Sequence, residues 1–112
     1  MILFIGPLYS GKRQCAENLL AQTGQVPDRC RILEDTQNEA IDCRTPDDLR
    51  AAADRLANDY DVLLFTETGS GVVPVDDEER RVRENAGRLS VLLAERAEEV
   101  YRVVCGLPTK LK

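Results

Sequence analysis

No histidine occurs anywhere in the 112 residues. That absence removes histidine as general base, nucleophile or metal ligand. The four cysteines, Cys15, Cys30, Cys43 and Cys105, lie far apart and form no C-x-x-C pair. A zinc site would have to gather four scattered thiolates, so the cysteines are expected to act as small buried hydrophobes. Long apolar runs are missing too. Met1 to Ile5 is too short to span a bilayer and has neither the charged lead nor the cleavage site of a signal peptide. The expected compartment is the cytoplasm. Positive charge is in deficit, with 15 Lys and Arg against 20 Asp and Glu, a net charge of −5. Such a surface attracts neither nucleic acid nor an anionic membrane. There is no internal repeat, linker or low-complexity segment. An apolar content of 43% with 31% charged residues describes an ordinary globular chain, one domain over residues 1–112 with a single modest core.

What is present is concentrated at the amino terminus. Met1-Ile2-Leu3-Phe4-Ile5 suits a strand buried on both faces. Gly6 ends the run, and Ser10-Gly11-Lys12 opens a stretch with helical apolar spacing at Cys15, Ala16, Leu19 and Leu20. Strand, Gly-x-x-x-x-Gly-Lys, helix is the phosphate-binding loop arrangement. Gly6 and Gly11 let the backbone curl so that successive N–H groups face a phosphate. The positive end of the helix adds to that field, and Lys12 supplies a point charge. One position departs from the pattern. Ser or Thr should follow the lysine to ligate magnesium, and Arg13 stands there instead. The nucleotide reading survives this change, and the magnesium reading is damaged. The alternative for the stretch is an ordinary glycine-rich turn.

Downstream, the first helix is expected over Lys12 to about Thr23, closed by Gly24 as a left-handed cap. A connector over Gln25 to Asp28 leads to a short strand at Arg29–Leu33, and Glu34 to Arg44 reads as loop. Thr45, Pro46, Asp47 and Asp48 form a helix start, and the helix that follows should stop near Asn58. Asp61 to Glu67 reads as the best central strand and runs into Thr68-Gly69-Ser70-Gly71-Val72-Val73-Pro74. Asp76 or Asp77 should cap a long helix to about Glu98, with Val82, Ala86, Leu89, Leu92, Leu93 and Ala97 inward. Val100 to Cys105 is expected as the last strand, followed by a Gly106-Leu107-Pro108 turn and a basic tail. Strands alternating with helices imply right-handed crossovers and a parallel sheet covered on both faces.

Ligands of such sheets bind beyond the carboxyl ends of the strands. That rule brings the Gly6–Lys12 loop, Glu67 with Gly69 and Gly71, and the Gly106 turn to one rim. Glu67 ends an apolar strand, where nucleotide-hydrolysing folds place an acid that holds magnesium or its water. A solvated strand-end carboxylate is the other reading. Arg80, Arg81 and Arg83 read first as a solvated helix face paired with Asp76, Asp77, Glu78 and Glu79.

Three segments together resemble one family: Glu67 to Pro74, Arg80 to Leu89 with its Gly87-Arg88, and Glu98 to Pro108 ending in Gly-Leu-Pro. They are similar to the bifunctional adenosylcobinamide kinase / adenosylcobinamide-phosphate guanylyltransferases of cobalamin nucleotide-loop assembly. Gly6–Lys12 with Ala16-Glu17, and Arg44-Thr45 with Asp48-Leu49, fit as well. The resemblance implies a three-layer α/β fold of the P-loop NTPase, RecA-like type with a reduced, mostly parallel sheet. It implies ATP or GTP as the nucleotide, with magnesium in doubt at Arg13, a corrinoid acceptor and a homotrimer. As catalytic residues it implies Lys12 on the β/γ-phosphates and Glu67 holding magnesium or orienting the hydroxyl. Gly6, Ser10, Gly11, Arg13, Gly69 and Gly71 would bind nucleotide, and Arg81 or Arg83 would contact a phosphate. The departures are equally specific. The family's guanylylated histidine has no counterpart, the segment after the second strand is short, and a strand-and-helix stretch before the Glu67 loop is missing. The expectation is a kinase without guanylyl transfer, or a degenerate paralogue that binds nucleotide or corrinoid or assembles with a full-length homologue.

Overall fold

A computed structural model of the chain describes residues 1–67 and 76–112. The apolar amino terminus forms β1 (Ile2–Gly6), and α1 (Lys12–Gln22) follows the glycine-rich loop. β2 is only Ile32–Leu33 and is followed by a 3-10 turn at Thr36–Ala40. Next come α2 (Pro46–Asp59), β3 (Val62–Thr66), α3 (Asp77–Arg96), β4 (Glu99–Val104) and β5 (Leu107–Lys110). The sheet order is β2-β3-β1-β4-β5. Its first four strands are parallel, and β5 returns antiparallel along β4. This is an α/β fold of the P-loop NTPase type with a reduced, mostly parallel sheet.

Alternation along the strands divides the core between two faces. Leu3, Leu63, Phe65 and Val100 pack under α2 and α3 with Leu49, Ala53, Leu56, Leu89 and Leu93. Phe4, Val62, Leu64 and Val103 pack under α1 with Cys15, Ala16 and Leu20. Phe4 also stacks on Tyr101, with centroids 5.1 Å apart. Full burial of each such leucine contributes about 1.5–3 kcal/mol, so the sheet is held from both sides by apolar area rather than by its short edge strands. β3 has four consecutive buried residues, Val62 to Phe65, as a strand covered on both faces requires.

The helix boundaries follow local chemistry. Thr45 and Asp48 form a reciprocal capping box at the start of α2, with Pro46 in the first turn. Asp76 caps α3 by accepting from the Glu79 N–H at 2.7 Å. Gly24 sits in the left-handed region after α1 (φ 78°). Of the expected inward face of α3, Ala86, Leu89, Leu93 and Ala97 are buried, while Val82 and Leu92 are half-buried.

Several expectations are corrected. The final strand is β5, where a turn and a basic tail were expected. Cys105 and Gly106 both take positive φ (52° and 73°), the pattern of a two-residue hairpin turn whose twist suits the strands it joins. Residues 34–44 include the 3-10 turn rather than only loop, and the second strand is shorter than Arg29–Leu33 because a 3-10 turn at Pro27–Arg29 precedes it. α3 stops at Arg96, since Ala97 is already extended and the Glu98 N–H bonds to the Met1 carbonyl. Two cysteines, Cys15 and Cys43, are the buried hydrophobes expected, but Cys105 is exposed and Cys30 half-buried. Among the described residues, no helix is long and apolar enough to cross a membrane.

Candidate phosphate-binding site

β1 delivers its last residue, Gly6, into a position that admits no side chain. A Cβ there would lie 2.3 Å from the Val103 carbonyl oxygen and 2.9 Å from Ser10 Oγ. The chain then turns through Pro7, Leu8 and Tyr9, with Ser10 N–H bonding to the Pro7 carbonyl at 3.2 Å. Gly11 takes φ 89° to start α1. It offers no side-chain cap, so the first N–H groups of the helix keep their capacity for an anion. The hairpin turn buttresses the loop from outside. Gly106 N–H donates to the Ser10 carbonyl at 2.7 Å, and Cys15 Sγ to the Gly106 carbonyl at 3.4 Å. The third feature expected at the rim, the Gly106 turn, thus supports the loop from behind.

Lys12 is 8% exposed and curls over its own loop. Its Nζ donates to the carbonyls of Pro7 (2.8 Å) and Gly6 (3.3 Å), with Ser10 Oγ at 3.5 Å. Burial pushes its pKa below the ordinary 10.5, opposed by the negative charges of Asp35 and Glu67. The loop opens on a cleft of about 250 Å³, lined by residues 8–13 together with Glu34, Asp35, Leu64 and Thr66. A buried ammonium, the free end of a helix and an adjoining cleft together can neutralise and orient a polyphosphate.

The other residues singled out in the sequence are distributed as follows. Glu67 stands at the rim, its N–H bonded to the Gly6 carbonyl at 2.9 Å. Its carboxylate is taken by Arg102 of β4, Nε to Oε1 at 3.1 Å and Nη2 to Oε2 at 3.5 Å. Arg13, at the cleft wall, pairs with Glu17 (2.9 Å) and Glu34 (3.6 Å). Arg81 pairs with Glu78 and donates to the carbonyls of Cys43 and Ile41, tying α3 to the turn before α2. Arg83 lies 3.7 Å from Glu79. Neither Arg81 nor Arg83 lines the cleft. Gly69 and Gly71, with the rest of the loop they belong to, fall outside the described residues.

Two residues at the site escaped the sequence reading. Arg102 sits in a strand and meets Glu67 only through the β1–β3 and β1–β4 registers. Asp35 is placed by the 3-10 turn behind it, whose Gln37 side chain accepts from the Thr66 N–H at 3.0 Å. The carboxylate pair Glu34-Asp35 directly after a strand of this sheet was the available signal for Asp35.

Magnesium makes a different demand on the donor set than phosphate does. Magnesium at a nucleotide is held by one or two side-chain oxygens in addition to the phosphates. The usual hydroxyl is replaced by Arg13, a cation that ligates no metal, and Glu67 is paired with Arg102. Among the described residues, no group of three His, Cys, Asp or Glu side chains could hold a metal. The described residues fit a phosphate, and the Glu67 carboxylate, expected to hold the metal, is engaged by Arg102.

Comparison with known proteins adds an independent line. The family model described as cobinamide kinase / cobinamide phosphate guanyltransferase matches residues 30–111. The bifunctional adenosylcobalamin biosynthesis protein CobP of Pseudomonas aeruginosa is 47% identical over 51 residues, which are 46% of this chain and 30% of that protein. The proteins named CobU of Salmonella typhimurium and Escherichia coli are each 43% identical over 51 residues, 46% of this chain and 28% of each relative. The matched segment therefore spans less than a third of these relatives. Gly6 to Lys12 lies before residue 30, so the phosphate loop stands on its own geometry.

Proposed function

The chain belongs to the cobinamide kinase / cobinamide phosphate guanyltransferase family of cobalamin biosynthesis, and on that premise we propose that it is a nucleotide-binding, kinase-type member. In this reading it transfers the γ-phosphoryl group of ATP or GTP to the aminopropanol hydroxyl of adenosylcobinamide, in the cytoplasm, and has lost guanylyl transfer. The observation that carries it is the loop itself, with buried Lys12 poised beside a cleft at an uncapped helix start. Phosphoryl transfer consists mostly of positioning and charge neutralisation. Lys12 and the loop N–H groups supply both, and no step is assigned to magnesium. The complete lack of histidine supports the loss of guanylyl transfer, because a histidine phosphoramidate cannot form on this chain. We further propose a homotrimer built through α3 and the Val72-Val73-Pro74 loop; light scattering that finds only a 12.5 kDa species would reject it.

A second reading draws on different contacts. Lys12 bonds to its own loop carbonyls and Glu67 to Arg102, so both expected catalytic groups already have partners. A degenerate paralogue that binds nucleotide or corrinoid, or joins a longer homologue, needs no more than that. One assay separates the readings. The protein is incubated with γ-labelled ATP or GTP and adenosylcobinamide, with nucleotide binding followed by calorimetry. Label transfer that disappears in Lys12→Ala supports the kinase. Binding without transfer selects the paralogue. A chain that binds neither nucleotide makes the loop a structural relic.

A further inference from the structure

We propose that Asp35, and not Glu67, is the carboxylate that receives the proton of the acceptor alcohol, so that the cleft wall carrying it is the acceptor subsite. The proposal rests on the kinase reading above and assigns a part that this reading leaves vacant. Glu67 is poorly suited to the task because both its oxygens face the guanidinium of Arg102. Glu34 is balanced by Arg13 at 3.6 Å. Asp35 lines the same cleft as Ser10, Gly11 and Lys12, and among the described residues its side chain is hydrogen-bonded by the neutral amide of Gln37 at 3.4 Å.

The position is built, not incidental. Thr36 is completely buried, with its hydroxyl donating to the Leu33 carbonyl at 3.3 Å. Gln37 clamps the end of β3 through the Thr66 N–H. These two anchors fix the turn and leave Asp35 at the cleft in the left-handed region (φ 53°). Aspartate and asparagine tolerate that region better than most residues. The charge relationship points the same way, since Asp35 outranks Glu67 among the anions that favour protonated Lys12. In phosphoryl transferases a carboxylate at the nucleotide site accepts the proton of the substrate hydroxyl.

The step balances without a further reactant. The alcohol oxygen attacks the γ-phosphorus of a nucleoside triphosphate, and a new oxygen–phosphorus bond forms. The bond from that phosphorus to the β–γ bridging oxygen breaks, and its electron pair leaves on the nucleoside diphosphate. The hydroxyl proton passes to Asp35. Leu8 (61% exposed) and Tyr9 (94% exposed) flank the same cleft, which suits an alcohol attached to a large apolar body.

The test compares the parent with Asp35→Asn, Glu67→Gln and Lys12→Ala, measuring ATP affinity by calorimetry and label transfer to adenosylcobinamide. Asparagine keeps the tolerated backbone geometry and removes only the proton acceptor. Asp35→Asn should bind ATP within about twofold of the parent and lose about 10²-fold or more in kcat, as expected for a lost general base. Glu67→Gln should keep kcat within about tenfold. Asp35→Asn with near-parent kcat in an active parent overturns the proposal and leaves the kinase reading intact. So does an ATP affinity that falls in step with kcat, which would make Asp35 part of the phosphate site. A parent that binds ATP but transfers nothing overturns both this proposal and the kinase reading, and spares the phosphate loop.

Discussion

The guanidinium of Arg102 grips the carboxylate of Glu67 directly beyond the end of β1, with contacts of 3.1 and 3.5 Å. The two residues come from strands on opposite sides of β1, so the ion pair spans the strand that delivers the phosphate loop. It offsets part of the negative charge of Glu67 that acts on Lys12.

That offset predicts a cycle of variants. With side chains 52% and 29% exposed, the pair should contribute no more than about 1 kcal/mol to stability. Arg102→Gln should nonetheless weaken metal-free ATP binding by about two- to fivefold, because an uncompensated Glu67 then repels the phosphates. Adding Glu67→Gln to Arg102→Gln should restore the affinity. Calorimetric titration of the four proteins reads the coupling, and equal affinities throughout would show that the pair is electrostatically silent at the site.

Lys12 carries a second prediction, on stability as well as binding. Its folded pKa lies below the unfolded 10.5, so between those two values the unfolded chain holds more protons. Stability from this group therefore rises as pH climbs through that window and levels off above it. At neutral pH the buried charge costs stability. Lys12→Met should melt higher than the parent at pH 7 without nucleotide, yet bind ATP about 30- to 150-fold more weakly, about 2–3 kcal/mol. Cys15 and Cys43, whose thiol pKa values burial pushes up, titrate with the opposite sign at alkaline pH, so the comparison is parent against variant. A lower melting temperature for Lys12→Met would refute the account.

The parts of the fold that were legible in the sequence are those whose cause is local. The run from Met1 through Lys12 carries its own strand, turn and helix start, and Thr45 with Asp48 writes a cap in four residues. The hairpin was not legible, because Cys105-Gly106 lacks the Asn-Gly or Asp-Gly that normally signals two positive φ values. Asp35 escaped for a different reason. Its place depends on Gln37 reaching the end of β3, 29 residues away in sequence, and a 3-10 turn carries no apolar period to announce it. The partnership of Arg102 with Glu67 spans 35 residues and exists only once both strands are in register beside β1.

The capping box predicts an acid-dependent penalty. Hydrogen bonds from the backbone N–H groups of Arg44 and Thr45 hold Asp48 below its ordinary 3.8, and the Arg31 N–H does the same for Asp61. A depressed carboxylate contributes stability above the unfolded value and loses it as pH falls through the folded one. Asp48→Ala should therefore destabilise at pH 7 and make little difference near pH 2. Thr45→Ala should cost about 1 kcal/mol at neutral pH by removing the cap. Urea unfolding at the two pH values decides both; a penalty for Asp48→Ala that is the same at each would show that its charge is not what matters.

The last prediction concerns Arg13, which occupies the position where a hydroxyl should meet magnesium. Its guanidinium is engaged by Glu17 and Glu34 at the cleft wall and, being a cation, ligates no metal. Nucleotide affinity in the parent should accordingly change less than about twofold when magnesium is removed, since no side-chain oxygen after Lys12 rewards the ion. Arg13→Ser restores that oxygen at the first turn of α1. The pair lost with Glu17 has side chains 48% and 37% exposed, and at its i,i+4 spacing should cost only about 0.3–0.5 kcal/mol. The variant should therefore fold normally and acquire magnesium dependence, binding ATP more tightly with the ion than without it. It also releases Glu34 beside Asp35, so its metal-free affinity should fall slightly below the parent's. Titrations of ATP and GTP with and without magnesium, on the parent and Arg13→Ser, measure all of this. A parent that binds only in the presence of magnesium would mean that another oxygen ligates the ion and that Arg13 is no obstacle to it.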